Sequence, residues 1–167
     1  MKVKGNTKLS VEVYLILMEK GGTFMIEKAT EKDKEFILTK AAESASEGAQ
    51  QALSAEKANQ IFNGILNKGG FYLVYRNADS SIAGWILLGE NTDYFSGKKH
   101  GFIYDVFVLT HFRGKGISKE FIKEGISTLK KSGYEEVRLN VFATNYAKEI
   151  YKKLGFKDLN SIMTLSI

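Results

Sequence analysis

The chain has 167 residues, 44% hydrophobic and 26% charged, which suits one globular domain and excludes a disordered chain. It has no cysteine, which excludes a disulfide, a thiolate zinc site and a cysteine nucleophile, and its two histidines, His100 and His111, weigh against a multi-histidine metal site. The net charge of +5 favours a polyanionic ligand such as a nucleotide cofactor, and no concentrated arginine run marks a nucleic-acid surface.

Val11 to Met18 is an apolar run interrupted by Glu12, too short to span a bilayer. Lys2, Lys4 and Lys8 precede it, but no small-residue cleavage site follows, so it does not read as a signal peptide. Two readings stand for residues 1–24. One is an N-terminal helix packed on the domain. The other is an extension upstream of a natural start at Met25, because Lys20-Gly21-Gly22 has a purine-rich coding that would serve as a ribosome-binding sequence. On the second reading the domain is 25–167.

Residues 24–29 read as a strand. Thr30 and Asp33 form an N-cap pair ahead of a helix bearing Phe36, Ile37, Lys40 and Ala41 on one face. Residues 42–53, rich in Ala, Ser, Glu and Gln, read either as its continuation or as a loop. Ser54 caps a helix with an apolar stripe of Ala58, Ile61, Phe62, Ile65 and Leu66, closed by Gly69-Gly70. Phe71–Arg76 and Ile82–Gly89 form a hairpin, and a polar loop over 91–100 leads to a third strand, Phe102–Leu109. After Arg113-Gly-Lys-Gly116 comes a helix whose face is Ile117, Phe121, Ile122, Ile126 and Leu129, ended by Ser132-Gly133. Val137, Leu139 and Val141 alternate as a strand. Ala147, Ile150, Tyr151 and Leu154 line a short helix stopped by Gly155, and Ile162–Ile167 reads as a final strand. No repeat or linker divides the chain. The order β-α-α-β-β-β-α-β-α-β predicts an α/β domain with a mixed sheet and helices on both faces.

The chemically informative segment runs from Asp105 to Ser118: a buried strand, a glycine-rich turn, then a helix. Such a turn leaves the first N–H groups of the helix unpaired, at the positive end of its dipole, where a phosphate binds. Gly114 and Gly116 let a pyrophosphate approach the backbone, and Arg113 and Lys115 add charge. The dinucleotide pattern G-x-G-x-x-G fails because Lys119 stands at the third glycine. The pattern G-x-x-x-x-G-K-[ST] fails at Gly97-Lys98, where Thr92 and Lys99 are the wrong residues. A plain strand–helix connection is the competing reading of Gly-Lys-Gly alone.

The segment resembles the signature of the GNAT superfamily of acyl-CoA-dependent N-acetyltransferases, an apolar strand followed by [RQ]-x-x-G-x-[GA], here Arg113-Gly-Lys-Gly116-Ile-Ser118. A second block, Asn145-Tyr-Ala147-Lys-Glu-Ile-Tyr151-Lys-Lys-Leu-Gly155-Phe156, is similar to the family's N-x-x-A-x-x-x-Y-x-x-x-G-F. Both lie in the family's order over residues 25–167. Two positions depart: Ser118 replaces the last small Gly or Ala, and Thr110 replaces a frequent proline.

The resemblance implies a mostly antiparallel six- to seven-stranded sheet with splayed central strands, and acetyl-CoA as co-substrate without a metal. It implies that the main chain of Val106, Phe107 and Val108 pairs with the pantetheine arm. The N–H groups of Arg113, Gly114, Lys115, Gly116, Ile117 and Ser118 would hold the pyrophosphate, and Asn145 would contact the cofactor while capping its helix. Tyr151 is expected as the general acid that protonates the leaving thiolate. Otherwise it is a core tyrosine.

Asp105 is the one charge in an apolar strand. It either binds the acceptor ammonium, relays its proton, or is a structural partner of a Lys, Arg or backbone N–H. Tyr104 is the alternative acceptor-site residue, because strand alternation puts it on the opposite face. Glu43, Ser44, Ser46 and Glu47 lie where the family lines its acceptor site, and they read by default as solvated surface. The expected function is cytoplasmic transfer of an acetyl group to a primary amine, on a small molecule or a protein, by direct attack. No nucleic acid or membrane is expected, and a homodimer is an option. A non-catalytic acyl-CoA-binding module on the same fold, transfer of another acyl group, and, more distantly, nucleic-acid binding are the alternatives.

Overall fold

The computed structural model describes residues 13–18 and 22–167. Its strands are β1 (Val13–Met18), β2 (Gly22–Lys28), β3 (Phe71–Arg76), β4 (Ile82–Thr92), β5 (Lys99–Val108) and β6 (Val137–Leu139). Its helices are α1 (Glu31–Thr39), α2 (Ala41–Ala49), α3 (Ala55–Leu66), α4 (Ile117–Lys131) and α5 (Ala147–Lys153). The six strands form one sheet in chain order. The pairs from β1 to β5 are antiparallel, and β5 with β6 is parallel. The sheet is therefore mixed, as the sequence predicts.

Alternation along β4 sorts the core into two layers. Ile86 and Leu88 face α4, meeting Ile117, Phe121, Ile122 and Leu129 in one cluster. Trp85 and Leu87 face the other way, in a cluster with Ile37, Ala41, Ala58 and Phe62 from α1, α2 and α3. The apolar stripe of α3 is right at Ala58 and Phe62, which are buried, while Ile61 at its edge is exposed. Thr30 makes the expected capping box with Asp33. Asp33 is also bonded by Arg76 Nη2 at 2.7 Å, and Arg76 Nε bonds Glu27, which locks α1 to the sheet.

Three expectations are corrected. Val13–Met18 is a strand paired with β2, not a helix. Residues 41–49 are a separate helix, divided from α1 at Lys40. Ile162–Ile167 forms no strand. Its Ile162, Met163, Leu165 and Ile167 are exposed. Period-two alternation qualifies a segment as a strand, but a strand persists only as part of a paired ladder, and this one has no partner. The rest of the predicted N-terminal stretch lies outside the described residues.

Candidate active site

The β4–β5 ladder runs from Gly84 paired with Val108 to Thr92 paired with Lys99. On its other edge, β5 pairs with β6 only at Gly101, Phe102 and Ile103. From Tyr104 onward that edge is open. Leu109 N–H donates to Ala83 O on β4 at 2.9 Å. By the alternation of main-chain direction, the neighbouring Val108 turns its N–H and C=O to the open edge. Its carbonyl accepts a 2.8 Å bond there from Arg113 Nε.

The open edge leads into the turn that starts α4. Gly114 and Gly116 have φ of 77° and 78°, left-handed values that glycine adopts without strain. No side chain caps α4. Arg113 N–H donates to Thr110 O at 3.2 Å, so the predicted run of free amides loses its first member. The N–H groups of Gly114, Lys115, Gly116, Ile117 and Ser118 have no partner among the described residues. Five main-chain donors thus stand unpaired at the positive end of a 15-residue helix, where the helix dipole favours an anion.

The Arg113 side chain also departs from expectation. Its Nη2 lies 3.0 Å from both carboxylate oxygens of Glu47 on α2, and the guanidinium stacks 5.3 Å from the Phe107 ring centroid. Its charge is committed to the protein. The cation left at the turn is Lys115, resting over Phe112.

Asp105 lies deep between β5 and α2, enclosed by protein atoms yet keeping some accessible surface. Ser44 Oγ is 2.8 Å from both of its oxygens, and Trp85 Nε1 donates to Oδ2 at 2.9 Å. Burial pushes this carboxyl up, against the pull of Ser44, Trp85 and the Val106 N–H, and the Glu47 charge adds to the rise. All of these donors are neutral, so the buried charge is solvated by dipoles. A carboxylate raised this way is a stronger base than a free one.

A register shift between Leu87 and Leu88 takes their partners from Asp105 to Ile103, leaving Tyr104 as an extra residue. The bulge cancels the alternation. Tyr104 packs on the same cluster as Trp85, so both residues serve the α1–α3 face. The Tyr104 hydroxyl donates to Glu90 O at 2.7 Å, and its ring walls a separate cavity of about 420 Å³ beneath α3.

Tyr151 is half-buried on α5, edge-on to Phe156 at 5.9 Å. Burial, then the charges of Asp105 and Tyr146, push its phenol up to about 12. It also lines a groove of about 1430 Å³ along β6 and α5, which none of the other expected site residues touches. Asn145 Oδ1 accepts from Ala147 N–H at 2.9 Å, a side-chain turn one residue ahead of Tyr146, which is the N-cap of α5.

The sequence reading missed Tyr72 and Trp85, and it placed Ser44 and Glu47 near the acceptor without foreseeing their partners Asp105 and Arg113. The Tyr72 hydroxyl is buried without a partner among the described residues, and burial, then the Asp105 charge, push its phenol up. Ser44 did leave a signal. It stands three residues after Ala41 on the inward face of α2, where an apolar residue is the rule.

A model of the acetyltransferase (GNAT) domain matches residues 27–164. The uncharacterized N-acetyltransferase YycN of Bacillus subtilis is 26% identical over 87 residues, covering 52% of this chain and 54% of YycN. YdgE of the same organism, also an uncharacterized N-acetyltransferase, is 29% identical over 103 residues, covering 61% of this chain and 64% of YdgE. The matches thus span less than two thirds of either relative.

Among solved structures, a candidate acetyl transferase from Pyrococcus furiosus superposes with a TM-score of 0.75 at 24% identity, over 86% of this chain and 99% of that one. Aminoglycoside N-acetyltransferase AAC(6')-Iy, solved in complex with CoA, superposes with a TM-score of 0.68 at 17% identity, over 90% and 99%. At these identities the structural likeness speaks for the fold. Among the described residues, no helix is long and apolar enough to cross a membrane, and no group of three or more His, Cys, Asp or Glu is placed to hold a metal.

Proposed function

The chain belongs to the GNAT acetyltransferase family, and from that premise we propose that it moves an acetyl group from acetyl-CoA to a primary amine by direct attack, with 25–167 as the catalytic unit. The observation that carries this reading is the run of unpaired amides from Gly114 to Ser118, continuous with the open edge of β5. A diphosphate fills the first, with Lys115 beside it. The amide-bearing pantetheine arm extends along Val106, Phe107 and Val108 as a further strand would. This delivers the thioester to the main chain of Val108, whose N–H points into the gap and polarises the carbonyl.

The amine nitrogen bonds to that carbonyl carbon, and the carbon–sulfur bond breaks as the tetrahedral adduct collapses. The amine gives up a proton to Asp105, directly or through water. Sulfur takes one from Tyr151. A phenol near 12 stays protonated throughout the working range and donates to the departing thiolate as charge develops on it. Asn145 holds the start of α5, and with it Tyr151. No covalent enzyme intermediate is needed.

The test is free-thiol release from acetyl-CoA with a panel of small amines, polyamines and lysine peptides. Amine-dependent release is expected. Tight binding of acetyl-CoA with no release for any amine would replace this reading with a non-catalytic acyl-CoA sensor. Faster turnover of longer acyl-CoA esters would change the donor.

A further inference from the structure

β5 has a neighbour on both sides only as far as Ile103, and beyond it β4 alone supports the strand, just after a bulge. A strand paired on one edge opens more readily than one paired on both. Yet residues 105–108 are the ones whose main chain has to hold a thioester within a fraction of an ångström. Something other than a strand must stiffen them.

α2 makes the required contacts. Ser44 and Glu47 stand three residues apart and so share one face of the helix. Ser44 reaches Asp105, 2.8 Å from each carboxylate oxygen. Glu47 takes Arg113 Nη2 at 3.0 Å with both of its oxygens. Arg113 Nε in turn donates to the Val108 carbonyl at 2.8 Å, and its guanidinium lies over Phe107. The helix therefore holds both ends of the unsupported stretch, Asp105 directly and Val108 through Arg113. A third contact, Thr144 Oγ1 to Gln50 Oε1 at 2.6 Å, ties the end of α2 to the loop before α5.

We propose that Glu47 is a positioning residue for acyl transfer, acting through Arg113 to fix the Val108 main chain, and that α2 splints residues 105–108 in place of the strand missing from that edge. The kinetic part of this inference rests on the function proposed above, and the structural part stands apart from it. In this role Glu47 acts through its contact with Arg113. It keeps the guanidinium turned back toward β5, so the diphosphate is left to the amides and Lys115.

Two measurements on Glu47→Gln test the proposal. In hydrogen exchange, amides of residues 104–109 should exchange about threefold faster than in the parent, while the β3–β4 hairpin keeps its rate. Unchanged exchange at 104–109, or equal acceleration in both places, overturns the splint.

In steady-state assays, kcat should fall about fivefold with the acetyl-CoA KM unchanged or lower, since the released guanidinium turns toward the diphosphate. In an Arg113→Ala background the same substitution should cost nothing further. An equal loss in both backgrounds, or a raised KM, overturns the route through Arg113. Failure of the parent protein to turn over any acyl-CoA counts against the proposed function alone, and the exchange experiment then decides the splint.

Discussion

The two edges of β5 are built for opposite purposes. Toward β4 it pairs at nine positions, from Gly84 to Thr92, and the β4 side chains beside it, Trp85 to Leu88, are fully buried. Toward β6 it pairs at three and then stands open. Apolar area and ladder bonds sit on the first edge. Unpaired main chain, free amides and titratable groups sit on the second. The difference teaches that the site is made by withholding structure. A β6 that followed β5 to Val108 would satisfy the edge, and the pantetheine arm proposed above would have no strand to pair with.

This contrast breaks first if the closed side proves soft. Phe121 is fully buried on α4, edge-on to Tyr75 at 5.5 Å. Phe121→Ala should cost about 3–5 kcal/mol of unfolding free energy by urea titration. A loss below about 1 kcal/mol would place the core elsewhere. On the open side the largest effect belongs to chemistry rather than stability. Tyr151→Phe should lower kcat more than about tenfold, roughly 1.4 kcal/mol or more in the barrier, while acetyl-CoA affinity holds. An unchanged rate removes the general acid. Because the phenol is pushed up to about 12, its ionisation should not limit the parent enzyme below about pH 10.

A third test returns to the closed side. Burial opposes it, but bonds from the Thr30 hydroxyl and N–H and from Arg76 hold the Asp33 carboxyl below its usual range. A depressed carboxylate stabilises the fold above its unfolded value, near 4, and that contribution is lost as pH falls through the folded value. Asp33→Ala should therefore cost about 1–2 kcal/mol at neutral pH. The gap to the parent should close in thermal melts below about pH 4. A gap independent of pH would assign the loss to packing.

The smallest effect sharpens the open side. Gly116 has space for a Cβ but sits at φ 78°, so Gly116→Ala should cost about 1 kcal/mol from backbone strain. Its acetyl-CoA affinity should fall further, as the methyl meets the diphosphate.

What was legible in the sequence was local. The Ser54 cap, the β3 limits and the glycine turn before α4 depend on residues a few positions apart, and the structure has them as read. The reading failed where register or a distant partner decides. Simple alternation separates Tyr104 from Asp105, and only the bulge against β4 brings them to one face. Ser44 and Glu47 look like solvated polar residues until α2 lies on β5, because their partners are 61 and 66 positions away. Met163, Leu165 and Ile167 alternate well enough for a strand, but alternation does not supply an edge to pair with.

The central claim is that free amides at the start of α4 grip a diphosphate. Titrating the ¹⁵N-labelled protein with acetyl-CoA and following each backbone amide tests it directly. The account predicts saturable shifts concentrated at Gly114 to Ser118, with smaller ones at Val106 to Val108. Saturable binding that leaves those five signals in place, or no binding at millimolar acetyl-CoA, would contradict it.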